Sequence, residues 1–178
     1  MIIESDRLCL RQWRKDDYDT FFSLNSDVQA MKFFPNTLSR EESDDLADKC
    51  AKLISERGFG FFAVERKDTQ EFIGFIGLHT PDYLPFGPCT EIGWRLHPRF
   101  WKRGYATEGA AAVLNYAFNE LKCMEVLSFA SKQNTPSIAV MRRIGMEYVE
   151  GGDFYHPRIQ PGHPLSRHVL YRLGSPHS

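Results

Sequence analysis

The chain has 178 residues, of which 42% are hydrophobic and 25% are charged, and its formal net charge is −1. This length and composition predict one globular domain covering residues 1–178, and the small net charge argues against bulk nucleic-acid binding. Four scattered cysteines without a C-x-x-C pair predict reduced thiols rather than disulfides or a zinc site. With no membrane-length apolar run and no signal-like N-terminus, we expect a soluble cytoplasmic protein without membrane association.

The first third of the chain predicts a strand followed by three helices. Arg7–Trp13 alternates polar and apolar residues, which is the period of a half-buried strand. The helices are expected after Asp16, over residues 27–32, and from Ser39, whose spacing to Glu42 forms a capping box. Phe33 and Phe34 follow the second helix, and they either plug the core or form the wall of a substrate pocket.

The middle of the chain predicts three strands. Phe61–Glu65 and Phe72–Leu78 flank a polar turn and read as a hairpin. A proline-rich loop over residues 80–89 separates the hairpin from a third strand, Thr90–Leu96.

A basic, glycine-bearing turn, residues 101–108 (W-K-R-G-Y-A-T-E), joins this third strand to a periodic helix that ends near Leu121. The first amides of a helix have no intrahelical acceptor and lie at the positive end of the helix dipole, so such a turn is suited to hold phosphate. Gly104 permits close approach of a ligand to the backbone. The residues alone also fit an ordinary turn with surface lysine and arginine.

The last third predicts a strand, a helix and two closing strands. The strand covers Met124–Ala130, and the helix begins near Asn134 and ends at Gly145. The closing strands, Met146–Val149 and His168–Leu173, are separated by a long ordered loop over residues 151–167. This order of elements predicts an α+β (mixed α/β) fold, with a mixed sheet and helices on both faces.

Four ordered motifs resemble the GNAT superfamily of N-acetyltransferases, and most closely its RimJ/RimL-like branch. Asp6–Arg11 resembles the opening T-x-R-L-x-L-R strand, and Glu91–Leu96 is similar to a later strand of the family. Residues 101–108 are close to the pattern W-G-[KR]-G-Y-A-T-E, and residues 134–146 resemble N-x-x-S…K-x-G-[FM]. The resemblance covers nearly the whole chain and implies a mostly antiparallel sheet of about seven strands with a central splay.

The resemblance also implies the reaction and the cofactor. The chain is expected to move an acetyl group from acetyl-coenzyme A directly to a primary amine, which is a protein N-terminus, a lysine or a small amine, without an acyl-enzyme. It leaves open whether the protein is a monomer or a homodimer. The alternative is a catalytically silent module that binds acyl-coenzyme A. The expected cofactor contacts are the backbone around Trp94 and Leu96, the side chain of Asn134, and the turn amides of Arg103, Gly104, Tyr105, Ala106 and Thr107.

Two residues are candidates for catalysis. Glu91 begins the splayed strand and is expected to accept the ammonium proton through water, although an exposed carboxylate is the competing interpretation. Ser137 matches a serine near the departing thiolate, although its hydroxyl also suits a helix start. Met141 stands where many superfamily members carry a tyrosine acid, so that mechanism is excluded at this position. Further weak candidates for acceptor binding are Phe33, Phe34, Tyr83 and His156, and no metal site is expected.

Overall fold

The computed structural model describes residues 2–178 of the chain, and within that range no helix is long and apolar enough to cross a membrane. The strands are β1 (Ile3–Glu4), β2 (Leu8–Arg11), β3 (Phe61–Arg66), β4 (Phe72–His79), β5 (Glu91–Leu96), β6 (Glu125–Ser131), β7 (Glu147–Tyr148), β8 (Phe154–Tyr155) and β9 (Arg167–Gly174). The α-helices are α1 (Tyr18–Ser26), α2 (Arg40–Arg57), α3 (Tyr105–Asn119) and α4 (Thr135–Arg143).

The strands form a mixed, mostly antiparallel sheet, as predicted. Its order is β1-β2-β3-β4-β5-β6-β9-β7, and β8 also pairs with β9. The expected count of about seven strands is too low, because residues 2–178 contribute nine to this sheet. The strands missed are β1 and β8, each of two residues, and so short a segment carries no readable alternation.

Helices cover both faces of the sheet, which confirms that prediction. On one face, Phe21 of α1 contacts Phe75 of β4 with ring centroids 6.0 Å apart. On the other face, α3 lies so close to β4 that a Cβ atom at Gly109 would be 2.4 Å from Cδ1 of Ile76. We call these the α1 face and the α3 face.

The predicted splay lies between β5 and β6. These two parallel strands are paired only at Glu91 and Leu127, whereas β5 pairs with β4 from Glu91 to Leu96. Beyond Glu91 the two strands separate, and one backbone edge of β5 is left without a strand partner. The splay opens towards the N-termini of α3 and α4.

The helix predicted over residues 27–32 is wrong, because α1 ends at Ser26 and a series of turns follows it. Asp27 has an extended backbone, and its Oδ1 accepts a hydrogen bond from the amide of Ala30 at 2.8 Å. A local side-chain acceptor of this kind competes with helical hydrogen bonding.

Candidate functional site

A cleft of about 940 Å³ opens at the splay. Its walls are residues 29–34, the end of β5, the turn before α3 and the first turns of α4. The predicted site residues that line it are Phe33, Phe34, Trp94, Leu96, Gly104, Tyr105, Ala106, Thr107, Asn134 and Ser137. Arg103, Glu91, Tyr83 and His156 are not among the lining residues.

The turn before α3 presents backbone amides to the cleft. Gly104 is the N-cap of α3 with φ of +80°, a left-handed conformation that favours glycine. The first intrahelical bond is donated by the amide of Glu108 to the Gly104 carbonyl, at 3.0 Å. The amides of residues 105–107 precede that bond, and no side chain caps them. They are free to bind an anion at the positive end of the helix.

Lys102 adopts an unusual backbone conformation within the same turn. Its φ is +60°, although lysine carries a Cβ atom and a left-handed residue of that kind costs about 1–2 kcal/mol. In the pattern W-G-[KR]-G-Y-A-T-E this position is a glycine. The turn therefore holds Lys102 in a left-handed conformation that a glycine would adopt without strain.

Arg7 fastens this turn to the N-terminal strand region. Its Nε donates to Oε2 of Glu108 at 2.7 Å, and its Nη1 donates to the carbonyl of Arg103 at 2.9 Å. The guanidinium carbon also lies 4.4 Å from the centre of the Tyr105 ring. Although burial opposes it, hydrogen bonds from Ser5 and Arg7 hold the pKa of Glu108 below its ordinary value. The carbonyl of Arg103 thus helps to hold the turn against the N-terminal strand region.

Only part of the open edge of β5 is available to a ligand. The amide of His97 bonds to β4, so the groups of Ile92, Trp94 and Leu96 face the splay by the alternation of a strand. Ser128 Oγ donates to the Ile92 carbonyl at 3.0 Å, and Trp101 Nε1 donates to the Leu96 carbonyl at 2.8 Å. The edge that remains is the amide and carbonyl of Trp94 and the amide of Leu96, which is narrower than the sequence implied.

The start of α4 forms the opposite wall of the cleft. Asn134 is its N-cap, and its Oδ1 accepts from the amide of Ser137 at 3.2 Å. Asn134 therefore satisfies the helix start, and the Ser137 hydroxyl is not needed for capping. Met141 is only 1% exposed and belongs to the core, so it has no access to the cleft.

Successive residues of a strand point to opposite faces of the sheet. Trp94 points to the α3 face, so Glu91, three residues before it, lies on the α1 face. Its Oε1 is 3.7 Å from the position that a Cβ atom on Gly93 would occupy. Glu91 keeps some exposed surface, but the surrounding protein is dense enough that burial raises its pKa to about 8. Among residues 2–178 no cation forms an ion pair with it. The carboxyl group is thus poised to exchange a proton near neutral pH.

Tyr83 and His156 belong to a separate cluster of rings beside β6 and β9. Their ring centroids are 6.1 Å apart, and Arg158 lies 3.6 Å from the centre of the Tyr83 ring. Burial, together with the charges of His168 and Arg158, lowers the pKa of His156 to about 4. His156 Nδ1 also accepts a hydrogen bond from the Arg158 amide at 3.1 Å, so its lone pair is already used. This geometry makes His156 a poor proton acceptor.

Arg95 is a cleft residue that the sequence interpretation did not single out, although a charged residue in the run E-I-G-W-R-L was a visible signal. Its Nη1 donates to Oδ1 of Asn25 at 2.8 Å, and its Nε is buried with no hydrogen-bond partner in the part of the chain that the structure describes. Its position beside Phe34 places an unneutralised positive charge in the wall of the cleft.

Comparison with known proteins gives a consistent result. A family model described as "Acetyltransferase (GNAT) domain" matches residues 7–147. A Bacillus subtilis protein described as the uncharacterized N-acetyltransferase YnaD is 33% identical over 149 residues, covering 82% of each chain. A GNAT-family acetyltransferase from Bacillus anthracis superposes with a TM-score of 0.81 at 28% identity, over 98% of each chain. RimL, a ribosomal L7/L12 α-N-protein acetyltransferase solved with coenzyme A, has a TM-score of 0.76 over 98% of each chain but only 17% identity, which shows the shared fold alone.

Proposed function

The chain belongs to the GNAT family of acyl-coenzyme A-dependent acetyltransferases, and from this premise we propose that it is one N-acetyltransferase domain acting on a primary amine. One observation supports this most directly. The cleft combines free amides at a helix N-terminus with an unpaired strand edge, and both lie next to the splay. These are the groups needed to hold a long ligand that has phosphate at one end and amides along its length.

The residues of the cleft fit acetyl-coenzyme A. The amides of Tyr105, Ala106 and Thr107 would hold its pyrophosphate, and the free groups of Trp94 and Leu96 would bond its pantetheine arm. When bound, acetyl-coenzyme A supplies an acetyl group activated as a thioester. Asn134 offers its side-chain amide from the far wall, because only its oxygen is used in capping.

Proton transfer is assigned to two side chains on opposite sides of the splay. Glu91 takes the proton of the acceptor ammonium group, directly or through a water molecule, and its pKa of about 8 suits that step. Ser137 lines the cleft and its hydroxyl is not used in capping, so we assign to it the proton given to the departing thiolate. No cysteine is needed as a nucleophile, so transfer is direct.

The acceptor class is proposed from the sequence motifs. The RimJ/RimL-like assignment comes from the four motifs, and the family resemblance supports a protein N-terminus, a lysine or a small amine. Oδ1 of Asp153, an acidic residue beside the cluster of rings, accepts a hydrogen bond from the hydroxyl of Tyr148 at 2.7 Å. Charge on the ring-cluster side is therefore a poor guide to the acceptor.

The test is turnover of acetyl-coenzyme A with a panel of small amines, lysine and short peptides. Thiol release and the mass of the product would be measured together. We expect release only when an amine is present, an acetylated amine as product, and no acetyl adduct on the protein. Tight coenzyme A binding without transfer to any amine would support a silent module instead.

A further inference from the structure

Arg95 carries a charge that the protein itself does not neutralise. It lines the cleft, and among residues 2–178 no carboxylate forms an ion pair with it. Burial lowers the pKa of Arg95 to about 10, which leaves it charged at neutral pH. A buried charge and an unpaired buried N–H are both costly, so proteins rarely keep them without a partner.

The guanidinium is held firmly in place despite lacking an ion pair. Asn25, which accepts from Nη1, is fully buried and in turn donates to Ser43 Oγ of α2 at 3.0 Å. The aromatic rings of Phe34 and Phe75 lie 4.5 Å and 5.3 Å from the guanidinium carbon. A planar cation fixed by a hydrogen bond and two rings is prepared for a planar anion such as a carboxylate.

Arg95 points away from the sheet face that carries α3 and the turn before it. It shares the α1 face with Glu91, because both are odd-numbered residues of β5, whereas the turn before α3 lies on the other face. Glu91 and Arg95 are four residues apart along the strand, so their Cα atoms are separated by about 13 Å. Glycine is the residue between them on this face.

We propose that Arg95 selects an acceptor that carries a carboxylate several bonds away from its amine. This inference rests on the proposed function. The amine lies near Glu91, and the carboxylate pairs with the Arg95 guanidinium. The ligand thus supplies the ion-pair partner that Arg95 lacks within residues 2–178. We expect an α-amino acid to be too short to reach both groups, because the Cα atoms of Glu91 and Arg95 are about 13 Å apart. An ω-amino acid, or a peptide with an acidic side chain shortly after its N-terminus, has the required length.

The experiment compares acceptors that differ only in the carboxylate. The pairs are 6-aminohexanoate with hexylamine, and a tripeptide amide with glutamate or glutamine at its third position, and glycine is the short control. We expect the wild-type kcat/KM to favour the carboxylate member of at least one pair by about tenfold to a hundredfold, as for a charge-assisted hydrogen bond. The pair that responds identifies a small acid or a peptide as the source.

The variants Arg95→Gln and Arg95→Lys test the residue, and Lys52→Gln on the exposed side of α2 is the charge-matched control. Arg95→Gln should raise KM for the carboxylate acceptor and erase the preference between the two members of a pair, without weakening coenzyme A binding. Arg95→Lys should recover part of the preference. Thermal unfolding checks that each variant is folded.

Several outcomes would overturn the proposal. Equal wild-type kcat/KM within both pairs would remove it without any variant, as would a preference that survives Arg95→Gln. Weakened coenzyme A binding in Arg95→Gln would assign the charge to the cofactor. Absence of transfer to every amine would instead reject the proposed function, so the two failures are distinguishable.

Discussion

The turn before α3 and the α1 face of β5 manage charge in opposite ways. In the turn, Glu108 receives hydrogen bonds from Ser5 and Arg7, and Arg7 also binds the Arg103 carbonyl. On the α1 face, no cation pairs with Glu91 and no carboxylate pairs with Arg95 within the described range, residues 2–178. In the turn, the charged groups pair with one another. On the α1 face, these two charged groups are unpaired within that range and are available to a ligand.

This difference separates binding from chemistry. A ligand site made of backbone amides depends on chain conformation, so it tolerates changes of side chain but not of backbone geometry. A site made of partly buried, unpaired side chains depends on the identity of each group, because its function rests on the pKa and the charge of that group. Substitutions in the turn should therefore change cofactor affinity, and substitutions on the α1 face should change turnover or acceptor choice.

The largest effect is expected from Gly104→Asp. The left-handed φ strains any side chain, a Cβ atom there lies 3.3 Å from Nη2 of Arg7, and the added carboxylate repels phosphate. We expect coenzyme A affinity to fall at least about a hundredfold, by loss of charge-assisted hydrogen bonds. Isothermal titration calorimetry measures this.

Gly151→Asp is the matched control for that substitution. Gly151 also has a left-handed φ, of +73°, and no atom of residues 2–178 beyond its chain neighbours lies within 4 Å of an added Cβ atom. Both variants should lose similar stability, about 1–2 kcal/mol, and only the turn variant should lose coenzyme A. Normal binding by the folded Gly104→Asp protein would remove the phosphate assignment.

The next effect in size is on turnover in Glu91→Gln. Removal of a general base costs about a hundredfold or more in rate, so kcat should fall by that factor while the coenzyme A Kd stays the same. The wild-type rate should rise with pH as Glu91 ionises near pH 8, and the variant should lack this limb. An unchanged kcat and pH profile would exclude Glu91 as the base.

The same group makes stability depend on pH. The folded pKa of about 8 lies above the ordinary value of 4.5, so the native state holds this proton more tightly than the unfolded chain. The contribution of this proton to the free energy of unfolding is complete below about pH 4.5. It is lost as the pH rises towards 8, at roughly 1.4 kcal/mol for each pH unit. Urea unfolding between pH 5 and 9 should show a smaller decline in Glu91→Gln than in the wild type.

The two regions also differ in how far the sequence predicts them. Residues 101–108 are local, so a glycine before a periodic helix is enough to predict free amides next to a cleft. The splay was predicted through the family resemblance and is confirmed in the sheet. The helix over residues 27–32 was predicted wrongly because helical propensity there competes with the Asp27 side chain, which bonds the Ala30 amide.

The α1 face could not be predicted because its properties arise from long-range burial. Nothing near Arg95 in the sequence shows that Asn25, 70 residues away, binds its guanidinium. Likewise, the contact between Arg7 and Glu108 spans 101 residues, and the Leu96 carbonyl is occupied only because Trp101 folds back on it. Such pairings depend on the topology of the fold, and they cannot be predicted from the neighbouring residues in the sequence.

A smaller effect is expected from Arg7→Gln. The variant loses the bonds to Glu108 and the Arg103 carbonyl, but the pair is partly exposed, with side-chain exposures of 47% and 19%. We expect coenzyme A affinity to fall about tenfold or less, since a hydrogen bond contributes about 1 kcal/mol, and kcat at saturation to stay unchanged. Arg40→Gln, which removes an exposed ion pair with Asp44, is the control. A fall in saturated kcat would show that Arg7 acts beyond positioning the turn.

The smallest effect concerns the left-handed lysine. Lys102→Gly removes the conformational strain of about 1–2 kcal/mol, but it also gives the unfolded chain more freedom, which offsets about 0.4–1 kcal/mol. We expect a gain of up to about 1 kcal/mol in unfolding free energy, measured in urea. Lys122→Gly is a close match, because Lys122 also has a positive φ, of 56°, and lies outside the cleft. Both variants should gain stability, and only Lys102→Gly should weaken the salt dependence of coenzyme A binding, because it alone removes a positive charge from the cleft wall. If both variants bind coenzyme A with the wild-type salt dependence, the turn holds phosphate through its amides without help from the Lys102 charge.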